Sequence, residues 1–202
     1  MKIVLKSANF FKLTLFCLLI SNYDALAQKT TIYLIRHAET EVTLPPPQDP
    51  VLSTAGQKRA EAIVKELKGK HIKAIYITSF KRSGLTAKPL AYKLKLLPRI
   101  YASDSLGLKQ FAKSILKNFQ GSNVLVVGHS NTLMPLLNYL GVNAPFAALS
   151  EQDYDMLFTV TVKDNQLPKL DIAYYGDQHH ENQIPDIYLP EINHPETVRP
   201  FY

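Results

Sequence analysis

TIYLIRHAET, residues 31 to 40, is the stretch that decides the fold. Ile32 to Ile35 form an unbroken apolar run, the pattern of a strand covered on both faces. The run stops abruptly on Arg36 and His37. A buried strand that ends on a cation and an imidazole delivers polar chemistry to one edge of a sheet.

Outward from that strand, apolar runs and helical patterns alternate. A proline-rich loop, TLPPPQDP, covers 43 to 50. STAGQKRAEAIVKELK, 53 to 68, predicts a helix: Thr54 and Gln57 fit a capping box, and Ala60, Ile63, Val64 and Leu67 share one face. AIYI, 74 to 77, predicts a second strand. Residues 81 to 94 predict a helix that contains Gly84 and Pro89. Leu108, Phe111, Ala112, Ile115 and Phe119 mark another helix. NVLVVGHS, 123 to 130, predicts a third buried strand, and NTLMPLLNYL a helix stopped by Gly141. DMLFTVTV, 155 to 162, and KLDIAYY, 169 to 175, predict a terminal strand pair. The sum is an α/β fold: a three-layer sandwich with a mostly parallel central sheet flanked by helices.

The two ends of the chain read differently. Lys2, Lys6 and Lys12 precede the apolar run LTLFCLLI, 13 to 20, and Ala25 and Ala27 form an A-x-A site. This predicts a cleavable signal peptide over 1–27, a catalytic domain over 28–176 and a periplasmic or secreted protein. The apolar run is far shorter than the roughly 20 residues of a permanent span, so no membrane anchor is expected. Residues 177–202, rich in Pro, His and Asn, are expected to wrap the surface in extended form or to hang loose.

Composition narrows the chemistry. The 202-residue chain carries a formal charge of +6, and its single cysteine, Cys17, lies in the leader. The domain after residue 27 thus holds no thiol, which excludes cysteine nucleophiles and zinc–thiolate sites. No dense basic block interleaved with aromatics appears, so nucleic acid is not an expected partner. The excess of cations is compatible with an anionic substrate. His179, His180 and His194 lack supporting cysteines or dense carboxylates and read as solvated, so no metal site and no cofactor are expected.

In open α/β sheets, sites form outside the carboxyl ends of the strands. The first strand brings Arg36 and His37 to that edge. The second, through TSFKR, brings Arg82. The third brings His129, with Ser130 and Asn131 opening a helix whose N-terminus suits an anion. Two guanidiniums, two imidazoles and a helix N-terminus suit a phosphoryl group. A neutral imidazole can attack phosphorus and form a covalent intermediate that water cleaves. Thr40 lies close by in sequence and joins Ser130 and Asn131 as a candidate substrate contact. Glu39, beside His37, is read as a positioning group.

At this point the residues resemble a family. LIRHAET resembles the Arg-His-Gly/Ala signature of the histidine phosphatase superfamily, with its phosphoglycerate mutase-like fold. LSTAGQKRA, 52 to 60, is similar to the Leu-Thr-x-x-Gly segment of that family. YITSFKRSGLTAKPLA, 76 to 91, is similar to its Ser-x-x-x-Arg-Ala-x-x-Thr-Ala segment, and VLVVGHSNT, 124 to 132, to its second-histidine strand. The ordered set spans about 31 to 141. The resemblance implies His37 as the phosphorylated nucleophile, with Arg36, Arg82 and His129 completing the pocket. It implies a metal-independent phosphomonoesterase acting on a phosphorylated small molecule. A mutase or phosphotransferase with the same residues, and a silent phosphate-ligand binding protein, stay open beside it.

The chain also departs from the pattern. Ala38 stands where Gly is frequent. Ser130 and Asn131 replace the His-Asp pair of the phytase-like branch. The segment 97 to 110 lacks the glutamate of the mutase branch. Asp104 is then the nearest carboxyl able to protonate a leaving group, and it reads equally as a helix cap. Oligomeric state is not written in these residues.

Overall fold

The computed structural model describes residues 29–45 and 48–190. The segment read as a signal peptide, the end of the tail and His194 lie outside the described residues.

The first strand, β1 (Thr30–Arg36), is buried along all seven residues. Successive side chains point to opposite faces of a strand. Ile32 and Leu34 accordingly enter one core, and Tyr33 and Ile35 the other. Beside it lies β4 (Asn123–Gly128), equally apolar. The remaining strands are β2 (Ile72–Ile77), β3 (Arg99–Ile100), β5 (Met156–Val162) and β6 (Lys169–Tyr174), and the sheet order is β3-β2-β4-β1-β5-β6. The first four of that order run parallel, and β5 and β6 close the edge antiparallel.

Four helices cover the sheet: α1 (Thr54–Glu66), α2 (Lys81–Leu94), α3 (Ser105–Asn118) and α4 (Ser130–Tyr139). Ile63 of α1 and Leu90 of α2 pack on the face of Tyr33 and Ile35. Ile115 of α3 and Leu137 of α4 pack on the face of Ile32 and Leu34. This is the three-layer α/β sandwich that the alternating runs predict. Each fully buried aliphatic side chain of this kind stabilises by about 1.5–3 kcal/mol, so β1 and β4 are the most firmly held strands.

Three details differ from the sequence reading. The N-cap of α1 is Ser53, not Thr54, and its hydroxyl accepts from Gly56 N at 3.1 Å. The strand β3 has only two residues, both exposed, and no periodicity announces it. Third, the described part of the tail wraps the surface, one of its two expected forms, but holds its histidines against protein rather than in solvent. His179 N donates to Asp155 Oδ2 at 2.9 Å, Glu181 N and Asn182 N donate to Asp153 Oδ1, and Ile184 is buried. His180 is not solvated: its Nδ1 meets Asp155 Oδ2 at 2.7 Å and its ring stacks on Tyr174. The driving force is the pair of buried carboxylates, which must find donors wherever the chain offers them.

Candidate active site

Strand register builds the site. Arg36 is paired with Gly128 across the parallel β1–β4 ladder. The ladder runs one bond further, with His37 N donating to Gly128 O at 2.9 Å. The next residue of each strand is a histidine, so His37 and His129 arrive side by side. Their ring centroids are 5.1 Å apart, edge to face.

Each ring is held from behind. His37 Nδ1 lies 2.9 Å from Ala38 O. A carbonyl only accepts, so Nδ1 carries the proton and Nε2 keeps its lone pair. The turn after His37 is anchored by Ala38 N donating to Thr86 Oγ1 of α2 at 2.9 Å. His129 Nε2 is 2.8 Å from Thr78 Oγ1, which in turn is 2.7 Å from Ser83 Oγ. Phe80 meets the same imidazole edge to face, at 5.2 Å between centroids. Burial pushes His37 down to about 3, and the charges of Arg36, His129 and Arg82 push the same way. Burial, with Arg82 and Arg36, brings His129 down to about 4. Both rings are therefore neutral at neutral pH.

The two arginines sit in matched settings. Arg36 lies over the Tyr154 ring at 4.1 Å, and Arg82 over the Phe80 ring at 4.2 Å. Arg36 Nη1 donates to Ser150 O at 2.7 Å and Nη2 to Glu151 Oε2 at 2.5 Å. Its Nε is buried with no partner. Arg82 Nη1 meets Asp49 Oδ1 at 3.3 Å, and both oxygens of Asp49 accept from Lys81 N at the start of α2.

The other expected site residues are placed less uniformly. Ser130 opens α4 and donates to Glu151 Oε1 at 3.2 Å. Asn131 is exposed on the first turn of the same helix. Thr40 is half-buried and bridges to Leu52 through the backbone, closing the proline-rich loop. Asp104 is exposed and caps α3, accepting from Gly107 N at 3.0 Å. That bond fills the role the sequence allowed it as a cap, and no contact joins it to either histidine.

Several contributors escape the sequence reading. Thr78, Phe80 and Ser83 lie inside the TSFKRS segment and carry no signal beyond proximity to Arg82. Tyr154, Glu151 and Asp49 come from loops without periodicity. Glu39 is locked to Arg59 twenty residues away: Arg59 Nε reaches both carboxylate oxygens at 2.9 Å and Nη2 reaches Oε1 at 2.7 Å. Gly56 has a steric reason. A Cβ there would lie 2.0 Å from Glu39 O, so only glycine lets the first turn of α1 rest on the backbone after His37. Among the described residues no group of three metal-ligating side chains is gathered, and no helix is long and apolar enough to cross a membrane.

The fold and its motifs have known counterparts. Residues 32–104 match the histidine phosphatase superfamily (branch 1), so the family resemblance of the motifs is borne out. The fold is similar to that of the protein histidine phosphatase SixA complexed with tungstate, with 15% identity, a TM-score of 0.55, and coverage of 71% of this chain and 96% of that one. It is similar to the alpha-ribazole phosphatase from Shigella flexneri, with 14% identity, a TM-score of 0.55, and coverage of 71% and 96%. It is also similar to mycobacterial glucosyl-3-phosphoglycerate phosphatase, with 15% identity, a TM-score of 0.51, and coverage of 66% and 90%. No curated protein matches it in sequence.

Proposed function

We propose that this chain, which carries the histidine phosphatase signature on the fold of that superfamily, is a metal-independent phosphomonoesterase working through a phosphohistidine. The observation that carries the reading is the orientation of His37. Its Nδ1–H is spent on Ala38 O, which leaves Nε2 as an unprotonated nucleophile at the end of the most buried strand. A rigid post of this kind fixes a reacting atom better than a loop does.

The proposed reaction has two steps. His37 Nε2 attacks phosphorus in line while the bond to the ester oxygen breaks. Water then attacks the phosphohistidine, the P–N bond breaks and inorganic phosphate leaves. Arg36, Arg82 and His129 surround the transferring group and stabilise its oxygens. The orphaned Arg36 Nε supports this assignment, because a buried donor without a partner costs about 1–3 kcal/mol until something accepts from it. Thr40, Ser130 and Asn131 are assigned to the rim, on their positions around the pocket. The mutase branch uses the same groups, and the test below separates transfer to water from transfer to a second alcohol.

We place the reaction outside the cytoplasm, on a phosphorylated small molecule. The leader-like residues 1–27 and the lack of cysteine after them support that location. N-terminal sequencing of the exported protein is expected to begin at Gln28; a chain found in the cytosol with its first residues intact would refute it.

The central test is hydrolysis of p-nitrophenyl phosphate in EDTA, with free phosphate measured, by the wild type and by His37→Ala. Turnover that persists in EDTA and disappears in the variant is the expected outcome. Activity surviving His37→Ala refutes the nucleophile. Product formed only in the presence of an acceptor alcohol replaces the hydrolase by a transferase.

A further inference from the structure

We propose that Glu151 is the proton donor to the leaving oxygen, a role for which the sequence offered only Asp104. The inference rests on the phosphomonoesterase reading and deepens it.

The carboxylate of Glu151 stands where an anion would. Oε2 is on Arg36 Nη2 at 2.5 Å and Oε1 on Ser130 Oγ at 3.2 Å. The Arg36 side chain is 3% exposed, that of Glu151 78%. The pocket floor is thus an arginine and a histidine, and Glu151 lies over its mouth. In-line transfer puts the leaving oxygen opposite the attacking Nε2. His37 is buried, so the side opposite it is the mouth.

The backbone that carries Glu151 is fixed, while its side chain is exposed and held only by Arg36 and Ser130. Asp153, 1% exposed, accepts from Ser150 N at 2.7 Å, from Glu181 N at 2.9 Å and from Asn182 N at 3.1 Å. Gln152 N donates to Ser150 Oγ at 3.0 Å. Residues 150 to 153 therefore form a pinned turn with an exposed carboxylate at its tip.

A substrate phosphate takes over the donors that Glu151 now uses. The displaced carboxylate loses its cation and faces phosphate oxygens instead. Other carboxylates near the pocket are committed elsewhere: Glu39 to Arg59, Asp49 to the Lys81 N–H and Arg82, and Asp104 to its cap.

The proton balance closes over both steps. As the Nε2–P bond forms and the P–O ester bond breaks, the Glu151 proton passes to the leaving oxygen and an alcohol departs. In the second step the attacking water gives a proton to the Glu151 carboxylate as the P–N bond breaks. Phosphate leaves and the carboxyl group is restored.

The test compares Glu151→Gln with wild type on two esters, p-nitrophenyl phosphate and an alkyl phosphate such as β-glycerophosphate. The nitrophenolate leaves without help, whereas an alkoxide needs a proton. The parameter is kcat/KM, which ends at the first phosphoryl transfer and is blind to slow hydrolysis of the intermediate. A loss of about 100-fold or more on the alkyl ester, against a change of only a few fold on the aryl ester, is expected. An equal loss on both esters, or an undiminished alkyl rate, overturns the role and leaves the phosphatase reading intact. Absence of turnover by the wild type on both esters overturns the phosphatase reading and this role with it. Thermal melts of both proteins confirm that the exposed substitution leaves the fold unchanged.

Discussion

Two arginine–glutamate pairs each place one member, Arg36 or Glu39, at or just after the end of β1, and they differ in almost everything but chemistry. Glu39–Arg59 is sealed: the side chains are 10% and 3% exposed, and three contacts of 2.7 to 2.9 Å join them. The remaining Arg59 donors go to Tyr175 O at 3.0 Å and Asp177 O at 2.9 Å. Arg36–Glu151 is open, with one partner buried and the other 78% exposed. The first pair ties the turn after His37 to α1 and the start of the tail. The second leaves its cation available for exchange. A pair whose every donor is satisfied by the protein itself is framework, whereas a pair that leaves a buried Nε without partner waits for a ligand.

The contrast can be broken from either side. The largest effect is expected from Arg59→Ala, which strands the Glu39 carboxylate inside the protein. Breaking a buried pair in this way costs about 3–5 kcal/mol. Chemical denaturation should show that loss, and a change under 1 kcal/mol would make the pair dispensable. Next comes Arg36→Ala. It should lower kcat/KM on p-nitrophenyl phosphate by about 10²–10³, the usual cost of removing one preorganised donor. Its denaturation midpoint should move much less than that of Arg59→Ala. A reversed ranking of the two variants in stability would erase the distinction drawn between them.

The smallest effect sharpens the comparison through pH. His37 and His129 titrate near 3 and 4 in the fold and near 6.5 when unfolded. Between those values the unfolded chain binds protons that the native pocket refuses. Stability should therefore fall as pH drops from about 6.5 towards 4, with a slope of about 1.4 kcal/mol per pH unit for each such proton. Substituting His37→Asn should remove about one proton from that slope. An unchanged slope would mean that the ring is charged in the native pocket. Phosphate should shallow the slope in the wild type, because a bound anion favours protonated His129.

The legibility of this site follows the length of the signal. β1 and β4 were readable because buried parallel strands are apolar throughout, and the residue that ends such a run stands out at once. His37, His129 and Arg36 are legible for that reason. The helices follow from their periodic faces, and Asp104 from its position before one. β3 was not readable, since two exposed residues have no pattern. Glu151 and Asp49 were not readable either, because a turn places them by hydrogen bonds to distant backbone rather than by periodicity. Glu39 was visible as a neighbour of His37, but its partner Arg59 is a contact between a strand end and a helix that no spacing rule encodes. His179 and His180 were misread as solvated, since only the fold reveals the buried Asp155 that recruits them.

The tail has a consequence for the order in which the site is made. The turn that presents Glu151 to Arg36 is pinned by Asp153, and two of the N–H groups on that carboxylate belong to Glu181 and Asn182. Those residues leave the ribosome after the six strands and four helices of the sandwich described above. A nascent chain can therefore pair its sheet and bury its core while the pocket mouth still lacks its supports. The supports of the candidate site's mouth are thus among the last contacts the growing chain can make.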